Sequence, residues 1–214
     1  MSFAPPSLVA RRRVAYRYPQ AQRPYSRNMA RDFPEAPPAF RDALVSLGRA
    51  QTRKDVALAE SPAPSRIAPF AVAINGEVTA EDTEGSGRFV LLHDPAGNDA
   101  WEGEFRVVAL VKAIVTPEVG GDDIWADVAW SWLEDALAGV AHRALGGTVT
   151  KVLNRSYGEL AERPQDVHVE LRVSWTPLDS QMEPHIQAWT DLMAACAGVP
   201  PLPEGVTMLP GSTA

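Results

Sequence analysis

Between Val167 and Thr176 the chain alternates without a break: Val167, Val169, Leu171, Val173 and Trp175 are apolar, and His168, Glu170, Arg172, Ser174 and Thr176 are polar. Successive side chains of a strand point to opposite faces, so this segment must rest one face on a core and turn the other to water. Strands of a parallel sheet are covered on both sides and read as continuous apolar runs, whereas a one-sided pattern belongs to an antiparallel sheet. The segment is scaffold, and it sets the fold class for what surrounds it.

The remaining patterns supply the elements such a sheet needs. Phe40, Ala43, Leu44 and Leu47 predict an amphipathic helix over residues 37–50, opened by two prolines. Residues 53–64 read as a connector with a short extended piece at 56–59. Strands are predicted over 70–78, broken near Asn75-Gly76; over 88–93, after a turn at Gly85-Ser86-Gly87; and over 101–115, after a turn at 94–99. These three make a meander. Asp122 and Asp123 are natural N-caps for a helix running to Arg143, with Trp125, Ala129, Trp132, Ala136 and Val140 along one face and Gly146-Gly147 at its end. A hairpin of residues 148–157 and 167–176 follows. A last helix from Pro184 presents Ile186, Trp189, Met193 and Cys196 at helical spacing. The order α-βββ-α-ββ-α describes an α+β fold: a mainly antiparallel sheet of about five strands with helices on one face.

With 214 residues, 45% hydrophobic and 22% charged, the chain suits a single domain over residues 36–198. No stretch approaches the roughly 18 consecutive apolar residues of a membrane-spanning helix. The net charge of -7 is unevenly placed, because Arg11, Arg12, Arg13, Arg17, Arg23, Arg27 and Arg31 all precede the first acid, Asp32. Residues 1–35 therefore read as a disordered basic arm, or as the product of an upstream start, since Met29 stands just ahead of the first helix. The acidic body repels a phosphate backbone, so weak nucleic-acid binding would reside in the arm alone. Residues 199–214 form a proline-rich tail. A single cysteine, Cys196, rules out an internal disulfide and a thiolate zinc cage, which fits a cytoplasmic setting.

Chemistry-bearing residues are sparse. Trp125, Trp132, Trp175 and Trp189 fall on core faces, while Trp130 falls at the border of its helix stripe, where an indole can anchor a partner. Glu102 and Glu104 share one strand face with Trp101, Gly103 and Phe105 on the buried side, and a solvated pair is the simpler account than a general acid and base. His93, His142, His168 and His185 show no metal-ligand spacing, and no serine sits in a nucleophile elbow. Neither a metal nor a cofactor is expected. Arg155, Tyr157, Glu159 and Arg163 crowd the loop end of the second hairpin, where a guanidinium beside an aromatic ring can grip an anion.

Four separated motifs carry a family likeness: LLHDPAGNDAWEGEF at 91–105, GGTVT at 146–150, SYGELAERP at 156–164 and VELRVSWTP at 169–177. Together, over residues 36–200, the chain resembles an actinobacterial family of unknown function, number three thousand in its series. The resemblance implies a cytoplasmic setting and supplies no activity. The leading expectation is a non-enzymatic protein that binds a protein partner or self-associates, through the water-facing side of the sheet or the Trp130 border. The alternatives are a small-molecule sensor or enzyme, with a pocket between sheet and helices drawing on Glu102, Glu104, Arg155 and Tyr157, and an RNA-associated accessory protein.

Overall fold

In a computed structural model, which describes residues 23–199 apart from 27, 121, 123, 163 and 164, the alternating segment is strand β7 (Asp166–Pro177). Its apolar residues Val167, Val169, Leu171, Val173 and Trp175 are all buried, and His168 and Arg172 are exposed. The other strands are β1 (Arg23–Pro24), β2 (Val56–Ser61), β3 (Phe70–Val78), β4 (Glu84–Asn98), β5 (Gly103–Val115) and β6 (His142–Asn154). They form one sheet in the order β1-β2-β3-β4-β5-β7-β6, and every pairing is antiparallel. The fold class is thus α+β, but with seven strands instead of about five. The short extended piece expected at 56–59 is a full sheet member, and β1 adds a strand ahead of the first helix.

Helices α1 (Pro38–Arg49), α3 (Trp125–Ala136) and α4 (Glu183–Cys196) cover one face; α2 (Pro117–Gly120) is a single turn. Their apolar residues join Ile74, Phe89, Leu91, Val107, Val111, Leu171 and Trp175 in one continuous core. A second, small cluster of Ala73, Val90 and Leu92 lies on the opposite face, packed by Ala63 and Ala68 from the connector. Arg88 fixes that connector by donating to the Pro62 carbonyl at 2.5 Å. Trp101, expected beside Phe105, sits in the β4–β5 turn and packs with this second cluster.

Three sequence expectations need correction, and each has a physical reason. Gly76 and Gly87 do not break strands or make turns; they are paired across β3 and β4. A Cβ at Gly76 would meet Met193 Cε at 2.7 Å and Trp189 Cη2 at 2.9 Å, and one at Gly87 would meet the Leu110 carbonyl oxygen at 2.7 Å and Trp189 Cζ2 at 2.8 Å. Glycine here admits a helix to the sheet surface. The second long helix stops at Ala136 rather than Arg143, and Gly139 at φ +79 follows it. Leu137 and Val140 continue to pack after the helix has ended, so an apolar stripe outlasts its helix. His142 and Arg143 therefore begin β6 and do not cap a helix end. Asp122 accepts from the Ile124 amide at 3.1 Å, while Asp123 lies outside the described residues.

Residues 23–35, assigned to an arm in the sequence reading, pack against the domain. Met29 is buried in the main core, and Tyr25 donates its hydroxyl to the Leu47 carbonyl. Residues 1–22 and 200–214, which carry the rest of the arm and nearly all of the tail, lie outside the described residues.

Buried aromatic and imidazole rings tie α4 to β7. The Trp175 indole donates to His185 Nδ1 at 2.9 Å, and the two rings stack. That bond leaves Nε2 to carry the proton of the neutral ring. Burial pulls the His185 pKa down to about 4. Between pH about 6.5 and 4 the unfolded chain binds a proton that the folded chain refuses, so stability is full above that window and falls as the pH drops through it. His93, also lowered by burial, adds in the same direction. We expect His185→Gln, which can still accept from Trp175, to shrink the loss of unfolding free energy between pH about 7.5 and 4.5 by about 2–3 kcal/mol, measured by urea denaturation at both pH values. An unchanged loss would remove His185 from the linkage. Gly87→Ala should cost about 1–3 kcal/mol through overpacking. Gly146→Ala, which would meet nothing within 4 Å, should fall within about 0.5 kcal/mol of the parent in the same assay.

Candidate functional site

The residues singled out in the sequence separate in space. Glu102 and Glu104 flank Gly103, the first residue of β5, while Arg155 and Tyr157 lie past the end of β6. β6 is 13 residues long, about 40 Å at ~3.3 Å per residue, and its first residue pairs with the last of β7. The two groups therefore occupy opposite ends of the sheet. No pocket between sheet and helices gathers Glu102, Glu104, Arg155 and Tyr157. Glu102 belongs to the turn, at φ +57, and Glu104 is exposed at the rim of a cleft. Trp130 is half-buried at the edge of the core, its indole donating to Glu134 at 3.0 Å. Arg155 and Tyr157 are exposed, and Arg163 lies outside the described residues.

The most exposed part of the fold is strand β6, none of whose residues is buried. It is the last strand of the sheet, paired with β7 on one side and with no described strand on the other. A strand at such an edge presents outward main-chain donors and acceptors with no protein partner. Natural edges are commonly guarded by a bulge or by a lysine reaching across them. In β6 the bulge lies in the first half, between Arg143 and Gly146, while residues 148–154 keep unbroken register with β7. Lys151 donates to the Asp122 carbonyl at 2.6 Å and so is drawn in toward the loop ahead of α3. Among the described residues, neither a bulge nor a strand guards the second half of the edge.

Apolar side chains gather at the same place. Of the large hydrophobic residues that are exposed, Val152, Leu153, Tyr157 and Leu160 all fall within one short stretch at the end of β6 and the loop beyond. Val45, Ile67, Val108, Ile124 and Leu178 are the other large hydrophobic residues exposed among those described. The charge here also departs from the rest of the molecule: residues 141–158 contain Arg143, Lys151 and Arg155 and no acid, in a chain of net charge -7. Sequence reading found Arg155 and Tyr157 but missed the edge, because the strand order that leaves β6 outermost is set by long-range pairing.

Clefts indent the surface of the described residues. One, of about 640 Å³, lies between α3 and α4 and is lined by Trp132, Ala136, Leu192, Ala195 and the carboxylates of Asp135 and Asp191. Burial raises the Asp191 pKa against the opposing pull of Arg53, whose guanidinium stands 3.7 Å away. Another, of about 390 Å³, opens at the end of the sheet where β5, β6 and the exit of β7 meet α1. It is lined by Glu104, Phe105, Arg143 and Asp179 among others. Behind Phe105 lies His93, buried between the rings of Phe40 and Phe105, with the Glu104 main chain beside its imidazole.

On the open face Glu170 sits between Lys112, at 3.0 Å, and Arg172. Burial alone would raise its pKa, but the two cations hold it below the usual carboxylate range. Among the described residues, no three His, Cys, Asp or Glu side chains are grouped so as to hold a metal ion. No helix among them is long and apolar enough to cross a membrane.

No curated protein and no solved structure is measurably similar to the chain. Residues 36–207 match the family described as "Protein of unknown function (DUF3000)", and on that match the chain belongs to this family.

Proposed function

We propose that the protein is a non-enzymatic, cytoplasmic binding module that captures an extended segment of a protein partner along residues 148–154 of β6. The observation that carries this reading is the coincidence of an unguarded strand edge with the exposed cluster of Val152, Leu153, Tyr157 and Leu160. Main-chain hydrogen bonds to such an edge supply affinity, and pockets for alternate side chains supply selectivity. Arg155, at the end of a strand that carries no acid from 142 to 154, favours a partner segment that alternates apolar and acidic residues. A second copy of the chain is a poorer fit, because two β6 edges bring like charge to like charge and offer Arg155 no acidic partner. The single cysteine, Cys196, is buried and fits a reducing setting in which no disulfide is needed.

The test uses the full chain, a fluorescent octapeptide of alternating valine and glutamate, and sedimentation velocity. The chain should sediment as a monomer and bind the peptide, and the double variant Val152→Glu/Arg155→Glu, altered at two exposed positions, should lose at least roughly tenfold in affinity. A lysine-for-glutamate peptide should bind equally poorly to the parent. Undiminished binding by the double variant would remove the edge from the reading. A dimer that the double variant abolishes would hand the edge to self-association instead.

A further inference from the structure

The cleft at the other end of the sheet is shaped by two strained residues, and their effect is to aim one charged side chain. In β6 the register with β7 runs from Arg143↔Thr176 to Gly146↔Ser174, so Ala144 and Leu145 together face a single residue of β7. Such a bulge re-aims the side chains beside it. Ala144 takes φ +50, a left-handed conformation that a residue with a Cβ adopts only when its surroundings hold it there. The hold is Arg106, which donates to the Ala144 carbonyl at 2.9 Å, to Thr176 Oγ1 at 3.0 Å and to Ser174 Oγ at 2.6 Å. Glu102, at φ +57, stands beside Gly103 and near enough to Arg106 to act on its charge.

The result is that Arg143 passes over Gly103. Its guanidinium lies 3.4 Å from where a Gly103 Cβ would be, and the same Cβ would press tightly on Thr176 Cγ2 at 3.0 Å. Arg143 and Glu104 line one cleft, yet they are not paired with each other, and neither has a hydrogen-bond or ion-pair partner for its side chain among the described residues. Asp179, across the cleft, accepts from the Gln181 amide through one oxygen. The floor is apolar and neutral: Phe105 backs onto His93, which burial disfavours in its charged form. A cation and two anions thus face a shared space of about 390 Å³ without neutralising one another.

We infer that this cleft binds a small zwitterion of the α-amino acid class, its carboxylate on Arg143 and its ammonium between Glu104 and Asp179. A guanidinium takes a carboxylate through two parallel hydrogen bonds, and an ammonium with three donors is satisfied by two carboxylates. The volume is at the low end for small-molecule sites and leaves room for a side chain against Phe105 and Leu178. The site is separate from residues 148–154, so its success or failure does not bear on the edge.

The experiment titrates the full chain, by heteronuclear NMR, with the free α-amino acids, with their N-acetyl and carboxamide derivatives, and with glycylglycine. At least one free amino acid should bind with shifts centred on Gly103, Phe105, Arg143 and Asp179. Blocking either of its charges should weaken binding by at least roughly tenfold, as should Arg143→Gln or Glu104→Gln, both at exposed positions. Gly103→Val should close the site to every probe. Tighter binding of glycylglycine than of any free amino acid would shift the ligand to a longer zwitterion and overturn the class stated here. Absence of any binding at ~10 mM, or binding indifferent to blocking and to both substitutions, would overturn the site itself.

Discussion

Trp189 lying on a pair of glycines is the contact on which the arrangement of the fold depends. Gly76 and Gly87 face each other across β3 and β4, and the tryptophan of α4 settles on them with Met193 beside it. Its indole reaches past the glycines to donate to the Leu110 carbonyl of β5 at 3.2 Å. Any side chain at either glycine would hold α4 away from the sheet and leave that indole without its acceptor, a buried donor costing about 1–3 kcal/mol. Because α4 is seated so closely, the other helices organise around it. α1 presents Ser46 to the first amide of α4 at 3.0 Å, and Arg53, just ahead of β2, reaches Asp191. Phe89 fills the angle between Trp175 and Trp189, so β4, β7 and α4 share one aromatic centre.

A helix layer fixed in this way leaves the sheet asymmetric. The helices pack on one face, and the other carries, among the described residues, the small cluster under the connector, with Val108 exposed. β6 is carried at the far margin by β7 and by α3, and it contributes side chains to the core only at its half-buried positions. Both functional readings come from this margin. Its regular second half offers unpaired main chain to an extended partner, and its bulged first half turns Arg143 toward a charged cleft. Arg106 separates the two behaviours, because its hold on the Ala144 carbonyl confines the irregularity to one end of the strand.

Acid sensitivity belongs to the core rather than to the margin. His185 and His93 are both buried rings, the first hydrogen-bonded to Trp175 and the second stacked between Phe40 and Phe105. Burial lowers the pKa of each, so acid draws on stability at the centre of the molecule.

The sequence by itself determined the class of sheet and most of its pieces. Strict alternation from Val167 to Trp175 required one wet and one dry face, and the spacing of Ile186, Trp189, Met193 and Cys196 placed α4 and its buried side correctly. Family membership was also legible, since it rests on local motifs that survive without knowledge of the fold. Tertiary structure alone decided what the glycines do. Gly76 and Gly87 carry no local signal that distinguishes a turn from a seat for a tryptophan more than a hundred residues away. It alone ended α3 at Ala136, because an apolar stripe reports burial and not hydrogen bonding. It also parted Glu104 from Arg155 and joined it with Arg143 and Asp179. Local patterns record which side of an element is dry; which elements become neighbours, and which edge is left without one, is settled by packing between residues far apart in the chain.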